Sequence, residues 1–245
     1  VLTTLNLQSF KQAFIAQEQA SLNQVIDTKV RQIEGYMDER ISDALFISSS
    51  LETKFAMQDL NKHYITRFNQ NETYKKVEAK YKDYFLRLQA HGYYDIFLVS
   101  TEGEVIFSIK HESDFATNLF TGKYKGSGLS KVVQQATYTL ESNSSSFQYY
   151  EPSQEAAAFI AAPILDNGVL LGIAAYQINS EIIQKVLLDV KGPMHSREVV
   201  VGAIQGDQYS FQAEVRNNKN IKVGELLPMS HVPAPLKKAM KGIIS

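Results

Sequence analysis

The chain has 245 residues, 44% of them hydrophobic, which is enough for one large domain or two small ones with a substantial core. Lys and Arg number 25 against 26 Asp and Glu, so nothing in the charge balance indicates a polyanionic partner such as nucleic acid. The absence of Cys excludes disulfides, thiolate nucleophiles and Cys-based zinc sites, and it suits a periplasmic domain as well as a cytoplasmic one.

No run of the sequence approaches the roughly 20 apolar residues that a membrane span needs. The N-terminus lacks a basic region followed by an apolar run, so it does not resemble a signal peptide. Because the chain begins with Val rather than Met, we expect an excised fragment, such as a sensor domain cut out between two membrane spans.

The first predicted element is a long helix from about Leu5 to Leu60, a stretch with no Pro and a single Gly. Its apolar positions recur at steps of three and four: Leu22, Ile26, Val30, Ile33, Met37, Ile41, Leu45, Leu51 and Phe55, with Ser48 as the one interruption. A helix of about 55 residues would extend roughly 80 Å, so part of it must project or pair with another chain. The alternative is two consecutive helices with a break near residues 48–50.

The next elements alternate between helical and strand patterns. A helix is predicted over residues 71–90, followed by strands over 95–99 and 104–109, an irregular segment to 128 and a short helix over 129–136. Strands are then predicted over 144–150, 157–163 and 169–178, before a helix capped by Asn179 or Ser180. The five strands predict an α+β fold, with one antiparallel sheet and helices on one of its faces.

A second unit is predicted after Val190. Residues 191–193 form a linker, 198–205 and 209–215 a hairpin, and 235–241 a short helix. A hairpin with one helix buries little core by itself, so we expect this unit to be incomplete.

Several segments, in this order and spacing, resemble double-Cache sensor domains, which are PAS-like. They are residues 33–37, 92–99, 102–108, 112–119, 122–124, 150–153 and 157–164, together with Gly172. The resemblance covers about residues 20–240.

This resemblance implies the extracytoplasmic sensor of a bacterial inner-membrane receptor, with a histidine kinase as the first expectation. It divides the chain into a signalling and dimerisation helix over 1–60, a membrane-distal Cache domain over 61–190 and a partial membrane-proximal one over 191–245. It also implies a small-molecule ligand in the distal domain and a homodimer paired along the helix. The flanking membrane spans and the cytoplasmic output module would lie outside this chain. The alternatives are a sensor that reads a periplasmic protein partner with its pocket empty, and the ligand-binding domain of a chemoreceptor.

Amino-acid-binding members of this family carry an Arg and a Trp-Tyr pair at the start of the short helix after the first hairpin. Here the corresponding segment, residues 123–129, reads KYKGSGL, and the chain has no Trp. An α-amino acid held by that motif is therefore not expected. The glycine-rich, basic segment 122–128 is either a rim that contacts an anionic ligand or a solvated loop.

The resemblance places Asp114 and Phe115 near the pocket rim, where a carboxylate could hold a ligand's ammonium group or serve only as a turn cap. Tyr149 and Tyr150 precede Pro152, and strand alternation sends one of them inward, either to the ligand or to the core. The expected ligand contacts are Asp114, Phe115, Tyr124, Tyr149, Tyr150, Ser153 and Phe97.

We expect no catalysis, metal or cofactor in this fragment. The five His residues are far apart, and no metal-binding spacing, phosphate loop or nucleophile elbow is present in the sequence.

Overall fold

The computed structural model of the protein describes residues 2–64, 72–188, 199–215, 218–232 and 234–240. The helices are α1 (Leu2–Ser49), α2 (Leu51–His63), α3 (Glu72–Gln89), α4 (Gly128–Thr139), α5 (Glu181–Leu188) and α6 (Ala234–Met240). The strands are β1 (Asp95–Val99), β2 (Val105–Ser108), β3 (Asn143–Ser144), β4 (Gln148–Tyr150), β5 (Glu155–Asp166), β6 (Val169–Asn179), β7 (Gly202–Gln205), β8 (Gln208–Phe211) and β9 (Leu227–Pro228). A single 3-10 turn covers Met229–His231.

The N-terminal helical segment is broken at Ser50, so the prediction of one continuous helix is wrong and the two-helix alternative is confirmed. Ser50 is extended, with φ −66° and ψ 149°, and its side chain accepts a hydrogen bond from the backbone N–H of Thr53. This is the geometry of a helix N-cap, so the chain stops one helix and starts the next at the same residue. The 48 residues of α1 still give it a length of roughly 70 Å.

The strands of the larger sheet follow the order β2-β1-β6-β5-β3, and β4 also pairs with β5. All of its pairings are antiparallel. The single strand predicted over 144–150 is wrong, because β3 and β4 are separate. Between them the backbone N–H of Phe147 donates instead to the side chain of Gln212, at 2.7 Å.

Both faces of this sheet are covered, so the prediction of helices on one face is wrong. One face packs against α1, α2 and α3, and its core includes Tyr74, Phe85 and Tyr176. The other face packs against α4 and the loop that precedes it, and its core includes Phe97 and Phe159. Alternation along the strands supplies apolar side chains to both layers.

Gly172 on β6 allows α2 to approach the sheet closely. A Cβ at this position would lie 2.2 Å from the Met57 side chain and 2.6 Å from the carbonyl oxygen of Val99. Only a glycine fits between them.

The smaller sheet, β7-β8-β9, contains the hairpin predicted after residue 190, and its core is Tyr209, Phe211 and Val232. Gln212 holds this unit against the main sheet, because its amide accepts from the N–H of Phe147 and donates to the same residue's carbonyl at 3.3 Å. Gln205 adds bonds to Gln148 and Ser146, each of 2.6 Å. The predicted linker at 191–193 and the start of the predicted strand at Glu198 lie outside the described residues, and the division of the chain near residue 190 stays a prediction.

Within the described ranges, no helix combines the length and the apolar character that crossing a membrane requires.

Candidate functional site

The site is built around a buried pair, Asp114 and Tyr150, on the face of the sheet that α4 covers. Asp114 lies in the loop between β2 and α4, and Tyr150 ends β4. The Tyr150 hydroxyl donates to Oδ2 of Asp114 at 2.6 Å. Burial raises the pKa of Asp114 to about 6, against the lowering effect of the Tyr150 hydrogen bond, and the negative charge of Glu112 raises this pKa further.

Aromatic rings line one side of this pair. The Tyr150 ring meets Phe159 edge to face, with centroids 4.8 Å apart, and the Tyr124 ring lies 6.2 Å from it. The Tyr124 hydroxyl is hydrogen-bonded to the Ser113 hydroxyl at 2.6 Å. These contacts fix the orientation of the Tyr150 hydroxyl toward Asp114.

A buried amide, Gln177 on β6, lies between Asp95 on β1 and Phe159 on β5 in the sheet register. Its Nε2 donates to the Ser153 hydroxyl at 3.0 Å. The side chain is 0% exposed, and its Oε1 has no hydrogen-bond partner in the described part of the chain.

Two further carboxylates, Glu112 and Glu155, complete the polar group. The Tyr94 hydroxyl donates to Oε1 of Glu112 at 2.6 Å. Burial raises the pKa of Glu155, and the negative charges of Glu181 and Glu112 raise it further. The Lys110 ammonium lies 4.9 Å from the centre of the Tyr94 ring and is exposed at the edge.

Asp95, on β1, is hydrogen-bonded to the end of β2 beneath this group. Its carboxylate accepts from the Ser108 hydroxyl at 2.6 Å and from the backbone N–H groups of Ile96 and Ile109 at 2.7 and 2.9 Å. Burial nevertheless raises its pKa to about 6, and the charge of Asp114 contributes to that rise. Asp95 is a satisfied structural carboxylate, unlike its neighbours.

Four buried acceptor atoms in this region have no donor among the described residues: Glu112 Oε2, Asp114 Oδ1, Glu155 Oε1 and Gln177 Oε1. Buried polar atoms in native proteins nearly always have a partner, so such a concentration indicates a missing one. We call these four residues the acceptor cluster.

The backbone around the acceptor cluster is held in a rarely occupied conformation. His111 and Ala116, on either side of Asp114, have φ of 51° and 57°, and Gln154 beside Glu155 has φ of 57°. Left-handed backbone at residues other than glycine is costly and concentrates at functional sites.

The structure brings four of the seven predicted contact residues together: Asp114, Tyr124, Tyr150 and Ser153. Phe97 is fully buried in the core, 6.5 Å from the Phe159 ring. Phe115 stacks on the His111 ring at 3.9 Å. Tyr149 is 57% exposed and donates to Gln154, so alternation sends Tyr150 inward and Tyr149 outward.

Sequence reasoning missed Gln177, Glu112, Glu155 and Tyr94. Gln177 had a usable signal, since it is a polar residue inside an otherwise apolar strand. Glu112 and Glu155 stand in irregular or strand-end sequence, where a carboxylate is ordinarily solvated, and nothing local marks them as buried.

Lys123, one of the two cations of the glycine-rich loop, is paired outside the acceptor cluster. Lys123 is exposed and bonds to Glu151 at 2.8 Å, with its ammonium 5.0 Å from the Tyr124 ring centre. In the part of the chain that the structure describes, no three His, Asp or Glu side chains are grouped so as to hold a metal ion.

The α+β arrangement of a long N-terminal helix and an antiparallel sheet confirms the predicted fold class, and solved sensor domains share this fold. The sequence matches no protein-family model and no curated protein. Solved structures do match. The sensor domain of the V. cholerae histidine kinase DctB aligns with a TM-score of 0.52 and 11% identity, over 81% of this chain and 86% of that one.

Two chemoreceptor domains align equally well. The ligand-binding domain of Campylobacter jejuni Tlp3, in complex with 4-methylisoleucine, gives a TM-score of 0.55 and 15% identity, over 89% of this chain and 74% of that one. The ligand-binding domain of the Pseudomonas aeruginosa amino acid chemoreceptor PctC, in complex with GABA, gives a TM-score of 0.54 and 11% identity, over 85% of this chain and 79% of that one. At these identities the similarity establishes the fold.

Proposed function

We propose that this chain is the extracytoplasmic sensor domain of a transmembrane signalling receptor, and that it binds a small molecule at the acceptor cluster. One observation carries the proposal: buried acceptors without donors are concentrated on the sheet face beside α4, in a fold shared with ligand-binding sensor domains. A domain built only for stability would satisfy such atoms internally.

The receptor class is proposed to be a histidine kinase, with a chemoreceptor as the alternative. Histidine kinases and chemoreceptors both use this fold, since the matched structures include a histidine kinase sensor and chemoreceptor domains. In either case the fragment senses and does not catalyse, and the output module belongs to another part of the receptor. The proposed location is outside the cytoplasmic membrane of a bacterium.

We propose that the signal of ligand binding passes through the sheet from the acceptor cluster to α1. The backbone N–H of Tyr94, whose hydroxyl bonds Glu112, donates to the carbonyl of Gln177 at 2.7 Å. The preceding residue, Tyr93, lies on the opposite face of the sheet, with its ring centre 5.4 Å from the guanidinium of Arg40 on α1. A ligand that moves Tyr94 against Gln177 would therefore shift Arg40 and the helix that carries it.

A protein partner is the second candidate function. An open groove beside α4 is lined by Phe120, Lys131 and Tyr138 among others, and Tyr138 is almost fully exposed. Such an apolar surface is typical of protein contacts.

A thermal-shift screen of the purified chain against amines, carboxylates, amino acids and sugars tests the proposal. A ligand at 100 times its dissociation constant adds about 2.7 kcal/mol to the free energy of unfolding. At least one compound should raise the melting temperature, and Asp114→Ala should remove that rise. If no compound in the screen shifted the wild-type protein, the small-molecule proposal would fail in favour of the protein partner.

A further inference from the structure

We infer that the ligand of this site is a small organic amine that carries no carboxylate, held by the acceptor cluster. The inference rests on the proposed function and names the chemical class that the site selects. It depends on which atoms are unpartnered, on the charge around them and on the aromatic rings beside them.

The unpartnered atoms of the acceptor cluster are all acceptors. The three other buried atoms without a partner in the described ranges, Arg40 Nε and the hydroxyls of Tyr93 and Tyr176, lie on the opposite face of the sheet. Asp114 Oδ1 and Gln177 Oε1 belong to side chains that are 0% exposed, so water does not reach them freely. Glu112 Oε2 and Glu155 Oε1 are buried atoms of half-buried side chains. A ligand that satisfies them must bring N–H or O–H donors, and an ammonium group brings three.

Gln177 shows that the acceptor cluster is not only a group of carboxylates. Its amide is neutral, so repulsion between carboxylates cannot account for the unpaired oxygen. Its other end is fixed by the bond to Ser153, which leaves Oε1 directed away from that partner. The neutral amide oxygen and the three carboxylates therefore all require a hydrogen-bond donor from the ligand.

The charge of the site favours a cation and disfavours a carboxylate. Glu112 acts electrostatically on both Asp114 and Glu155, since its charge raises the pKa of each. The Lys side chains that contact the aromatic rings, Lys110 and Lys123, are exposed at the edge, and the charge of Lys110 lowers the pKa of Glu155 by less than burial and the neighbouring carboxylates raise it. The carboxylate of an amino acid would meet acceptors and negative charge here, where an amine would form charge-assisted hydrogen bonds.

The aromatic residues are suited to the same ligand. The hydroxyls of Tyr150 and Tyr94 are already used to hold Asp114 and Glu112, at 2.6 Å each. The Tyr94 ring has the Lys110 ammonium 4.9 Å from its centre, so this part of the site already accommodates a cation beside an aromatic ring. An amine with a second donor at its other end would satisfy more of the cluster than a single ammonium.

A metal ion is the competing cation. It is disfavoured because no three acidic or His side chains in the described ranges are grouped to hold one, and the same separation favours a ligand with donors at both ends over a single ammonium group.

Isothermal titration calorimetry of the purified chain at neutral pH, with five probes, tests the inference. The probes are putrescine, ethanolamine, γ-aminobutyrate, succinate and calcium chloride. Putrescine or ethanolamine should bind at least about 10-fold more tightly than each of the other three. Asp114→Asn and Gln177→Met should each weaken that binding about 10-fold or more, while Glu141→Gln, which removes an exposed carboxylate outside the cluster, should not change it.

The outcomes separate the inference from the function on which it rests. Tighter binding of γ-aminobutyrate or succinate, or of calcium alone, would overturn the amine and leave a small-molecule sensor. Amine binding that survives Asp114→Asn would place the amine elsewhere and overturn the inference. Should Asp114→Asn fail to fold by circular dichroism, Gln177→Met decides the question by itself. If none of the five probes binds and the wider thermal-shift screen is also negative, the inference and the proposed function fall together.

Discussion

Tyr150 donates a 2.6 Å hydrogen bond to one oxygen of Asp114, while the other oxygen of the same carboxylate is buried with no donor among the described residues. The pair is therefore positioned but only half satisfied. Tyr150 fixes where the carboxylate points, and the second oxygen is the atom to which the proposed ligand would donate a hydrogen bond. That role would explain why the protein keeps a buried carboxylate on this face of the sheet.

Tyr150→Phe should lower the free energy of unfolding by about 1–3 kcal/mol at neutral pH, because it removes the donor to a buried charged acceptor. The same change should raise the pKa of Asp114 above its present value of about 6, since the Tyr150 bond lowers that pKa. Urea denaturation and a carboxyl titration by NMR measure the two effects. Tyr149→Phe, at the exposed neighbour, is the matched control and should change stability by less than about 0.5 kcal/mol. Equal effects at the two tyrosines would contradict the assignment.

Asp114→Asn should stabilise the unliganded protein at neutral pH. The folded pKa of Asp114, about 6, lies above its usual value of 3.8. The folded state therefore binds the extra proton between those two pH values, and the stability from this group, fully present below pH ~4, is lost as pH rises through ~6. Asn does not ionise, so the variant does not lose this stability. Its free energy of unfolding should exceed that of the wild type by roughly 3 kcal/mol at neutral pH.

Denaturant titrations at several pH values between about 4 and 7.5 measure this difference. Glu112 raises the pKa of Asp114, Asp114 raises the pKa of Asp95 beneath it, and Glu112 and Lys110 act on Glu155. These neighbouring charged groups are all retained in the variant. Asp207→Asn, which removes a carboxylate at an exposed turn, is the matched control. A difference for Asp114→Asn that stays constant with pH would mean that Asp114 is not protonated in this range.

Strand alternation predicts that one of Tyr149 and Tyr150 points inward but not which of them, and it was the resemblance to Cache domains that placed Asp114 near a pocket. Gln177 stands out as a polar residue in an apolar strand, but its place in the site could not be predicted, because its neighbours Asp95 and Phe159 come from strands distant in the chain. Cross-strand register depends on how the whole sheet pairs, which no local pattern contains.

Two errors in the fold have local causes. The apolar spacing of α1 continues in phase through residues 51 and 55, so periodicity alone predicts one helix, but the Ser50 side chain caps a new one. The continuous apolar run of β5 is typical of a strand buried on both faces, and it could have predicted helices on both sides of the sheet.

Gln212→Met should loosen the second unit from the main sheet. The Gln212 amide accepts from the N–H of Phe147 and donates to its carbonyl, as a neighbouring strand would, and it also donates to the Ser210 hydroxyl at 2.8 Å. Met fills a similar volume but leaves the buried N–H and C=O of Phe147 and the Ser210 hydroxyl without this partner, at a cost of about 1–3 kcal/mol. Hydrogen exchange at the Phe147 amide should accelerate, and Gln208→Met, exposed four residues earlier on β8, should leave it unchanged. Unaltered protection at Phe147 would show that another contact holds the two units together.

Pairing of two copies along α1 is the remaining expectation, and the structure leaves a surface for it. Leu7, Phe10 and Phe14 are spaced at steps of three and four, and they are 70%, 71% and 56% exposed. Steps of this kind place them on one stripe of the helix, which is the seam that a parallel helical pair buries. In a symmetric parallel pair each residue of the seam faces its own copy, so a single Cys there can form a disulfide with its equivalent.

The chain has no Cys, so each introduced thiol is unique. Phe10→Cys should crosslink into a dimer under mild oxidation, because it lies on the stripe. Gln12→Cys, about 160° round the helix at 100° per residue, should remain monomeric under the same conditions. Non-reducing electrophoresis measures both. Equal crosslinking of the two variants would indicate random collision, and crosslinking of Gln12→Cys alone would put the seam on the opposite face of α1.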